Sequence, residues 1–385
     1  MITWRVGKVV SYGKTWPGAQ ELQVQDTNGE TIKALAYPQL IGPINIGTTV
    51  ALNTSALDRG LGTGGYALVA AIIPTEPPTH NPTTQPGHLV KARYTPTQAM
   101  VLGVDEQESK FHTLLKNADN LDHMPVITAD LHSALPAIIA GIHTGARTHN
   151  LKPIRIAYIM TDGGALPAWF SRTAATLRSN QTIESIITVG QAYGGDHEAV
   201  TVHTGLLAAR HVVKADITIV IQGPGNLGTG TTWGFSGVAV GETMNAAAIL
   251  NGTPIGSLRI SGGDLRDRHI GISHHSLTAL GKVARMPGHI VTPHINPNDT
   301  FYNTFPHIEG TPTLNELSAR IESQIADLQE SAPWHTYVQE PLTQELHAEL
   351  EASPVRLSTM GRGYHQDPLA FLTAAAAGAY ATKFL

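Results

Sequence analysis

Ile217-Thr218-Ile219-Val220-Ile221 runs through Gln222 into the glycine-rich loop Gly223-Pro224-Gly225-Asn226-Leu227-Gly228-Thr229-Gly230, and this stretch decides the expected fold. The run is almost entirely apolar, as a strand is when helices cover both faces of its sheet. Similar runs occur at 126–129, 154–160, 185–189 and 255–260, separated by stretches with apolar residues at helical spacing. This alternation predicts an α/β protein with a three-layer core around a parallel sheet.

The first 74 residues have a different rhythm, which is typical of a small all-β domain. The segment 21–25 alternates polar and apolar residues, Asn28-Gly29 is a strong hairpin signal, and 32–37 supplies the returning strand. Five or so short strands in this length predict a small barrel or sandwich. The prolines that follow, from Pro74 to Pro86, predict a stiff, extended linker.

These patterns divide the chain into four segments. We expect a barrel-like all-β domain at 1–74, a linker and lead-in helix at 75–120, and the parallel α/β core at 121–295. The remainder, 296–385, is expected to be a helical segment that wraps the core. It contains an amphipathic helix at 314–328 and an alanine-rich helix from Pro368 onward.

The composition excludes several classes of protein. The chain of 385 residues has 25 basic and 30 acidic side chains and a net charge of −5, which disfavours nucleic-acid binding. It has no cysteine, so disulfides, thiolate metal sites and thiol nucleophiles are excluded. The start lacks the features of a signal peptide, and the alanine run is too short to span a membrane. We therefore expect a cytoplasmic protein with a small-molecule ligand and no membrane partner, and leave homo-oligomerisation open.

Small and ionisable residues follow every predicted strand of the core. Because ligands bind beyond the carboxyl ends of parallel strands, these segments predict one shared cleft. The alternative is that they are ordinary turns and helix caps, which use the same residue types. The segments are Asp130-Leu131-His132-Ser133, Thr161-Asp162-Gly163-Gly164, Gly194-Gly195-Asp196-His197-Glu198, Gly223 to Gly230, and Ser261-Gly262-Gly263-Asp264.

The glycine-rich loop has the glycine spacing of the dinucleotide-binding fingerprint, but the residues that follow it do not fit that motif. No helix begins directly after it, and no acidic residue stands at the end of the next strand. The phosphate-loop pattern also fails, because Thr229 occupies the place of its lysine. Backbone N–H groups of such a loop can still bind an anion, and a purely structural turn is the alternative. The candidate ligand-binding residues are Gly223, Gly225, Gly228, Thr229 and Gly230; no cofactor is identified.

Histidines and carboxylates at the strand ends supply candidates for proton transfer and metal binding. The catalytic candidates are Asp162, Asp196, His197 and His275, and the metal-ligand candidates are His132, Asp162 and His274. A mixed histidine and carboxylate set suits zinc, manganese or iron, although no recognised ligand spacing occurs. The adjacent pair His274-His275 is expected to point in two directions. Asp196-His197-Glu198 is interpreted as an acid–base unit at a helix start or, equally, as capping chemistry.

Several longer motifs identify a resemblance that covers nearly the whole chain. They are Leu52-Asn53-Thr54, Gly60-Leu61-Gly62-Thr63-Gly64-Gly65, Met160-Thr161-Asp162-Gly163-Gly164-Ala165-Leu166-Pro167, Gly228-Thr229-Gly230-Thr231-Thr232-Trp233-Gly234-Phe235-Ser236-Gly237, Ser273-His274-His275 and Ser358-Thr359-Met360-Gly361-Arg362-Gly363. With these motifs the chain resembles a Gram-positive bacterial family of uncharacterised proteins, domain of unknown function 3866. The resemblance implies no assigned activity and no catalytic residue.

Two hypotheses about function follow from the sequence. The first is an enzyme that acts on a small anionic metabolite held at the strand ends, with the glycine-rich loop binding the anion. The second is a non-catalytic ligand-binding or assembly protein in which the glycine loops are structural turns. A loop buried beneath the N-terminal domain, with no open pocket at the strand ends, would favour the second hypothesis.

Overall fold

The N-terminal part of the protein is a closed five-stranded barrel. The structure is a computed structural model and describes residues 1–74, 86–306 and 310–385. Its elements are β1 (Trp4–Trp16), β2 (Ala19–Asp26), β3 (Thr31–Ala36), α1 (Pro38–Ile41), β4 (Thr49–Asn53) and β5 (Ala67–Ile72). The strands close in the order β1-β2-β3-β5-β4. The predicted hairpin is confirmed, because β2 and β3 pair antiparallel across a turn in which Gly29 has a φ of 84°.

A short connecting region leads from the barrel to the core. The linker predicted between Pro74 and Pro86 lies almost entirely outside the described residues. After it the chain forms an antiparallel pair of short strands and one helical turn: β6 (Leu89–Lys91), β7 (Ala99–Val101) and α2 (His112–Leu115).

The core alternates strands and helices along the rest of the chain. Its elements are β8 (Pro125–Ala129), α3 (Ala134–Thr148), β9 (Ile156–Thr161), α4 (Arg172–Ser179), β10 (Ser185–Thr188), β11 (His197–Glu198), α5 (Val202–Ala208), β12 (Ile217–Gln222), α6 (Ala239–Ile249), β13 (Thr253–Ser257), β14 (Ile260–Ser261), β15 (Gly271–Ile272), α7 (His274–Thr278), β16 (His289–His294), α8 (Leu314–Ser331), β17 (Thr336–Pro341), α9 (Gln344–Glu351), β18 (Ser358–Thr359), β19 (Arg362–Gly363) and α10 (Pro368–Ala381).

Eight of these strands form one parallel sheet in the order β11-β10-β9-β12-β8-β13-β16-β17. Successive residues of a strand enter two different apolar clusters, as Tyr158 and Ile159 of β9 do, so helices cover both faces. The predicted fold class is therefore confirmed: a parallel-sheet α/β core in three layers, with a small N-terminal barrel.

The strand order reverses in the middle of the sheet. From β8 the chain moves outward through β9, β10 and β11, and then returns to place β12 between β9 and β8. It next continues on the other side of β8 through β13, β16 and β17. The carboxyl ends of β8, β12 and β13 therefore lie where the direction reverses, which is where open parallel sheets form their ligand crevices.

The C-terminal region completes the core in two ways. The predicted amphipathic helix is confirmed as α8, which buries Leu317, Ile321 and Leu328. The alanine-rich helix α10 is buried against α3, and a Cβ atom at Gly141 would stand 1.7 Å from the carbonyl oxygen of Ala375. The small residues therefore allow close helix contact. The strand β17 is not predicted from the sequence, because its residues lack an apolar run.

The barrel contacts the core through the segment that precedes α4. The indole N–H of Trp16 donates to the carbonyl oxygen of Trp169 at 2.6 Å, and the Trp169 ring lies 6.1 Å from the ring of Tyr37. The guanidinium of Arg172 lies 5.5 Å from the Trp16 ring. These contacts attach the barrel to one side of the core. Among the described helices, none is both long and apolar enough to cross a membrane.

Candidate functional site

A cleft of about 720 Å³ opens at the carboxyl ends of β8, β12 and β13. Loops that follow these strands supply most of its lining, and the barrel contributes Leu61 and Gly62. The other lining residues are Leu131, His132, Ser133, Pro136, Thr173, Gln222, Gly223, Pro224, Gly225, Asn226, Leu227, Gly228, Gly230, Arg259, Arg266, Arg268, His269, His275, Arg356, Ser358, Thr359 and Met360. A cleft at the strand ends is thus present, and the glycine-rich loop forms one of its sides, but the predicted segments 161–164, 194–198 and 261–264 contribute no residue to its lining.

The glycine-rich loop is folded back on itself and largely exposed. The backbone N–H of Thr229 donates to Gly234 at 2.7 Å, and that of Ser236 donates to Leu227 at 2.9 Å. These bonds form a short flap that is exposed from Gly225 to Gly230 except for the half-buried Asn226. Within the described part of the chain, the N–H groups of Gly225, Gly228 and Gly230 have no hydrogen-bond partner. Free N–H groups of this kind can bind an anion.

Asp130, directly after β8, is the buried centre of the site. One carboxylate oxygen, Oδ2, accepts from Nδ1 of His275 at 3.0 Å and from the guanidinium of Arg259 at 3.1 Å. The other, Oδ1, accepts from the amide of Asn226 at 3.3 Å. Burial alone raises the pKa of Asp130, but the bond from His275 and the charge of Arg259 outweigh it, so the pKa is lowered. Asp130 is therefore an anion that orients three other side chains.

Three imidazole rings meet beside Asp130. Ring nitrogens of His269, His274 and His275, one from each, lie within 4.8 Å of one another. Phe235 stacks on His275 with the ring centroids 3.8 Å apart and the planes 3° from parallel. Burial, together with the charges of the nearby arginines and His275, lowers the pKa of His269 to about 3. Burial is also the main cause of the lowered pKa of His274.

Four arginines line the cleft, three of them from the stretch 259–268 and the fourth, Arg356, from the C-terminal region. Arg259 is bound to Asp130, and Arg266 makes two bonds of 2.9 Å to the carboxylate of Asp264. Arg268 and Arg356 are exposed and form no hydrogen bond or ion pair with the described residues. These last two guanidiniums are free to bind a ligand.

One buried acceptor of the cleft also lacks a partner. The side-chain nitrogen of Gln222, at the end of β12, donates to the carbonyl oxygen of Asp130 at 2.7 Å. Its Oε1 atom is buried and has no hydrogen-bond partner within the described residues. Buried polar atoms are rarely left unpaired, so this oxygen marks a place where a ligand group or water can donate.

The structure brings some of the predicted site residues together. Gly223, Gly225, Gly228, Gly230, His132 and His275 all line the cleft. His274 lies beside His275 in the imidazole cluster, whereas Thr229 does not line the cleft and bonds within the flap, its hydroxyl donating to Gly234. His132 lies at 2.6 Å from the hydroxyl of Ser171, and burial lowers its pKa to about 4.

The other predicted catalytic residues lie outside the lining of this cleft. Asp162 is exposed after β9, and its carboxylate accepts from the N–H of Gln191 at 2.8 Å. Asp196 accepts from Arg178 at 2.8 Å and from the N–H of Ile186 at 2.8 Å, in a smaller cavity next to Trp169. The catalytic roles suggested for Asp162, Asp196 and His197 stay predictions.

Two local interpretations are wrong. His197 and Glu198 form the edge strand β11 and not a helix start, and burial lowers the pKa of His197. The side chains of His274 and His275 do not diverge, since their ring centroids are 4.4 Å apart. Both histidines lie at the start of α7, directly after β15, and the ring of Phe235 contacts both imidazoles.

Sequence reasoning missed the arginines and His269. The segment Arg266-Asp267-Arg268-His269 begins two residues after the last predicted strand-end segment, so a slightly longer window would have included it. Gly237 lies directly against the carboxylate of Asp130. A Cβ atom at Gly237 would stand 1.7 Å from Oδ1 of Asp130, so this position is restricted to glycine.

A comparison with models of protein families shows which family the chain is related to. The model described as "Protein of unknown function (DUF3866)" matches residues 33–378. The match covers most of the 385 residues, and the chain therefore belongs to this family. The family of unknown function expected from the sequence motifs is confirmed, whereas its assignment to Gram-positive bacteria stays a prediction. No curated protein matches the chain significantly.

Proposed function

We propose that this member of a family of unknown function is an enzyme whose cleft binds a small metabolite with two or more negative charges. The observation that carries the proposal is the charge of the lining. Arg259, Arg266, Arg268 and Arg356 line the cleft, and its lining contains no aspartate or glutamate among the described residues. The whole chain is acidic, with 30 carboxylates and 25 basic residues, so this concentration of arginine is local.

The positions of the free arginines fit an anion held between two sides of the cleft. Arg268 lies next to the glycine-rich flap, since a Cβ atom at Gly230 would stand 3.7 Å from its Nη2 atom. Arg356 comes from the chain shortly before β18, on another part of the lining. Guanidinium groups bind carboxylate and phosphate oxygens in pairs of parallel hydrogen bonds, and the free N–H groups of the flap add further donors.

The reacting end of the ligand is expected to lie near His275. Its Nδ1–H group donates to the buried Asp130 carboxylate, which fixes the ring and leaves Nε2 with a lone pair. A histidine oriented by a carboxylate in this way can move a proton or bind a metal ion. The arginines would stabilise negative charge that develops on the substrate, which is a large contribution in many active sites.

Titration calorimetry with inorganic phosphate, pyrophosphate and citrate tests the binding part of the proposal. Replacing Arg268 or Arg356 by glutamine removes a charge-assisted interaction of about 1.5–3 kcal/mol, so each variant should bind pyrophosphate at least about 10-fold more weakly. The matched control is Arg93→Gln, an exposed arginine outside the cleft lining, which should bind as the wild type does. Equal affinity in all four proteins would contradict the proposal.

Catalysis is tested separately with a panel of phosphorylated and polycarboxylate metabolites. A metabolite that raises the melting temperature is incubated with the protein and analysed for product by mass spectrometry. His275→Gln should retain binding through the arginines but lose turnover. Binding with no turnover of any stabilising metabolite would favour the non-catalytic ligand-binding alternative.

A further inference from the structure

We infer that His269, His274 and His275 bind one divalent transition-metal ion, Zn²⁺ being best suited, at the side of the cleft formed by the start of α7. The inference goes beyond the proposed function and does not depend on it, because metal binding is measured without any anionic ligand. It concerns a set that the sequence did not suggest, since only His274 was among the predicted metal ligands.

The geometry of the three rings carries the inference. One nitrogen from each imidazole lies within 4.8 Å of the other two. Tetrahedral Zn²⁺ with bonds of 2.0–2.1 Å needs ligand nitrogens about 3.3 Å apart, so the three rings would draw closer together around a bound ion. Three histidines are a familiar ligand set for catalytic zinc, with a fourth position open to water or substrate.

The rings of His269 and His275 each have one nitrogen held by a hydrogen bond and one nitrogen without a partner among the described residues. Nδ1 of His275 donates to Oδ2 of Asp130 at 3.0 Å, and Nδ1 of His269 lies 2.7 Å from Oγ of Ser273, which can accept from it. These bonds leave the Nε2 atoms of His269 and His275 available. A carboxylate that holds a histidine by its second nitrogen is the usual arrangement around zinc ligands.

The third ring supplies an independent observation. Nε2 of His274 is buried and has no hydrogen-bond partner within the described residues. A buried imidazole nitrogen without a partner is unfavourable, and a metal ion in the cluster would provide the missing interaction.

Nearby positive charge does not prevent cation binding here. Arg259 lies 3.1 Å from Asp130 and 3.2 Å from Nδ1 of His275, and Arg266 lies 2.9 Å from Asp264, so each arginine contacts a buried carboxylate that offsets part of its charge. Arg268 is exposed, so solvent and salt screen its charge. His269 and His275 line the cleft, so the open coordination position would face the bound ligand.

The test measures metal content of the full-length protein after removal of metals with a chelator. Zn²⁺ is added back, excess ion is removed, and bound zinc is counted by mass spectrometry; Co²⁺ binding is followed by visible absorption. The wild type should hold one ion per chain. His269→Gln and His275→Gln should lower the affinity at least about 100-fold. Asp130→Asn, which removes the carboxylate that orients His275 and pairs with Arg259, should lower it roughly 10- to 100-fold.

The matched control is His347→Gln. His347 is as buried as His275 but bonds to the hydroxyl of Tyr364, and this variant should retain one ion. Wild-type protein that binds neither ion, or His269→Gln and His275→Gln proteins that keep it, would overturn the inference. If these variants fail to fold, zinc anomalous scattering from wild-type crystals decides: a peak among the three rings supports the site, and a peak elsewhere or none overturns it.

The two proposals fail separately. Pyrophosphate binding is measured on the chelated protein with the arginine variants, whereas zinc is counted without pyrophosphate. Loss of zinc binding therefore leaves the anion result standing, and the reverse holds equally.

Discussion

Replacement of Asp130 by asparagine should destabilise the folded protein far more than any comparable change at the neighbouring strand end. Asparagine has the same shape, so no cavity forms, and the effect measured is that of removing one buried negative charge. Asp130 is 5% exposed, and the charge on its Oδ2 atom is shared between Arg259 and His275.

The expected magnitude follows from these two contacts. A hydrogen bond to a charged group contributes about 1.5–3 kcal/mol, and among the described residues Arg259 would lose its nearest carboxylate and keep Asp264 at 4.0 Å. Removing one partner of a buried ion pair costs about 3–5 kcal/mol. Because asparagine still accepts one hydrogen bond, we expect a loss near the lower end, about 3 kcal/mol.

Scanning calorimetry and urea denaturation measure this loss. For a core of this size, about 3 kcal/mol corresponds to a fall in melting temperature of about 6–12 °C. The control is Asp162→Asn at the end of β9, the next strand along the chain, which β12 separates from β8 in the sheet. Asp162 is exposed and makes a single hydrogen bond, to the N–H of Gln191, so its replacement should cost less than about 1 kcal/mol.

The comparison has a clear refuting result. If Asp130→Asn and Asp162→Asn have the same melting temperature within about 2 °C, Asp130 is not the charged centre of the site. A large loss in Asp162→Asn alone would show that the other strand end carries the essential carboxylate.

Two further predictions concern packing and pH. Gly141→Ala should lower the free energy of unfolding by at least about 3 kcal/mol, because its Cβ would overlap the carbonyl of Ala375. The control Gly62→Ala has open space around it and should change the free energy of unfolding by less than about 0.5 kcal/mol. Equal effects of the two variants in urea denaturation would contradict the α3–α10 contact. Burial lowers the pKa of His132 to about 4, below the value of about 6.5 in the unfolded chain, so the folded protein gains stability from neutral His132 that is fully present above pH 6.5 and is lost as the pH falls towards 4. This loss should reach at most about 3 kcal/mol, and His132→Gln should show a flatter stability profile between pH 6.5 and 4; parallel profiles would refute it.

Much of the fold was predictable because local patterns report it. The apolar run of β12 indicates burial on both faces, and Asn28-Gly29 indicates the hairpin, because each feature depends on residues close together in the chain. The strand β17 was not predicted, because it depends on pairing with a strand that is distant in the sequence. Its residues are mostly exposed at the edge of the sheet, so pairing with β16, and not an apolar pattern, forms it.

The candidate site was predicted in part. The flap from Gly223 to Gly230 and the ring of His275 lie in the cleft, as the strand-end rule predicts. Asp162 and Asp196 follow the same rule in the sequence but lie outside the lining of that cleft, because their strands are farther from the point where the strand order reverses. The rule identifies the edge of the sheet, and the strand order selects which part of that edge forms the crevice.

Periodicity and turn residues act over a few neighbouring positions, and they were enough to predict the parallel α/β core, the N-terminal barrel domain and the position of the glycine-rich loop. The convergence of Arg259, Arg268 and Arg356 on one cleft, and of His269 with His274 and His275, is seen only in the folded chain. Arginines are common on protein surfaces, and nothing periodic marks those that converge. Their role in the cleft depends on distances between residues that are far apart in the sequence. Strand order and loop path set these distances, and no local sequence pattern contains them.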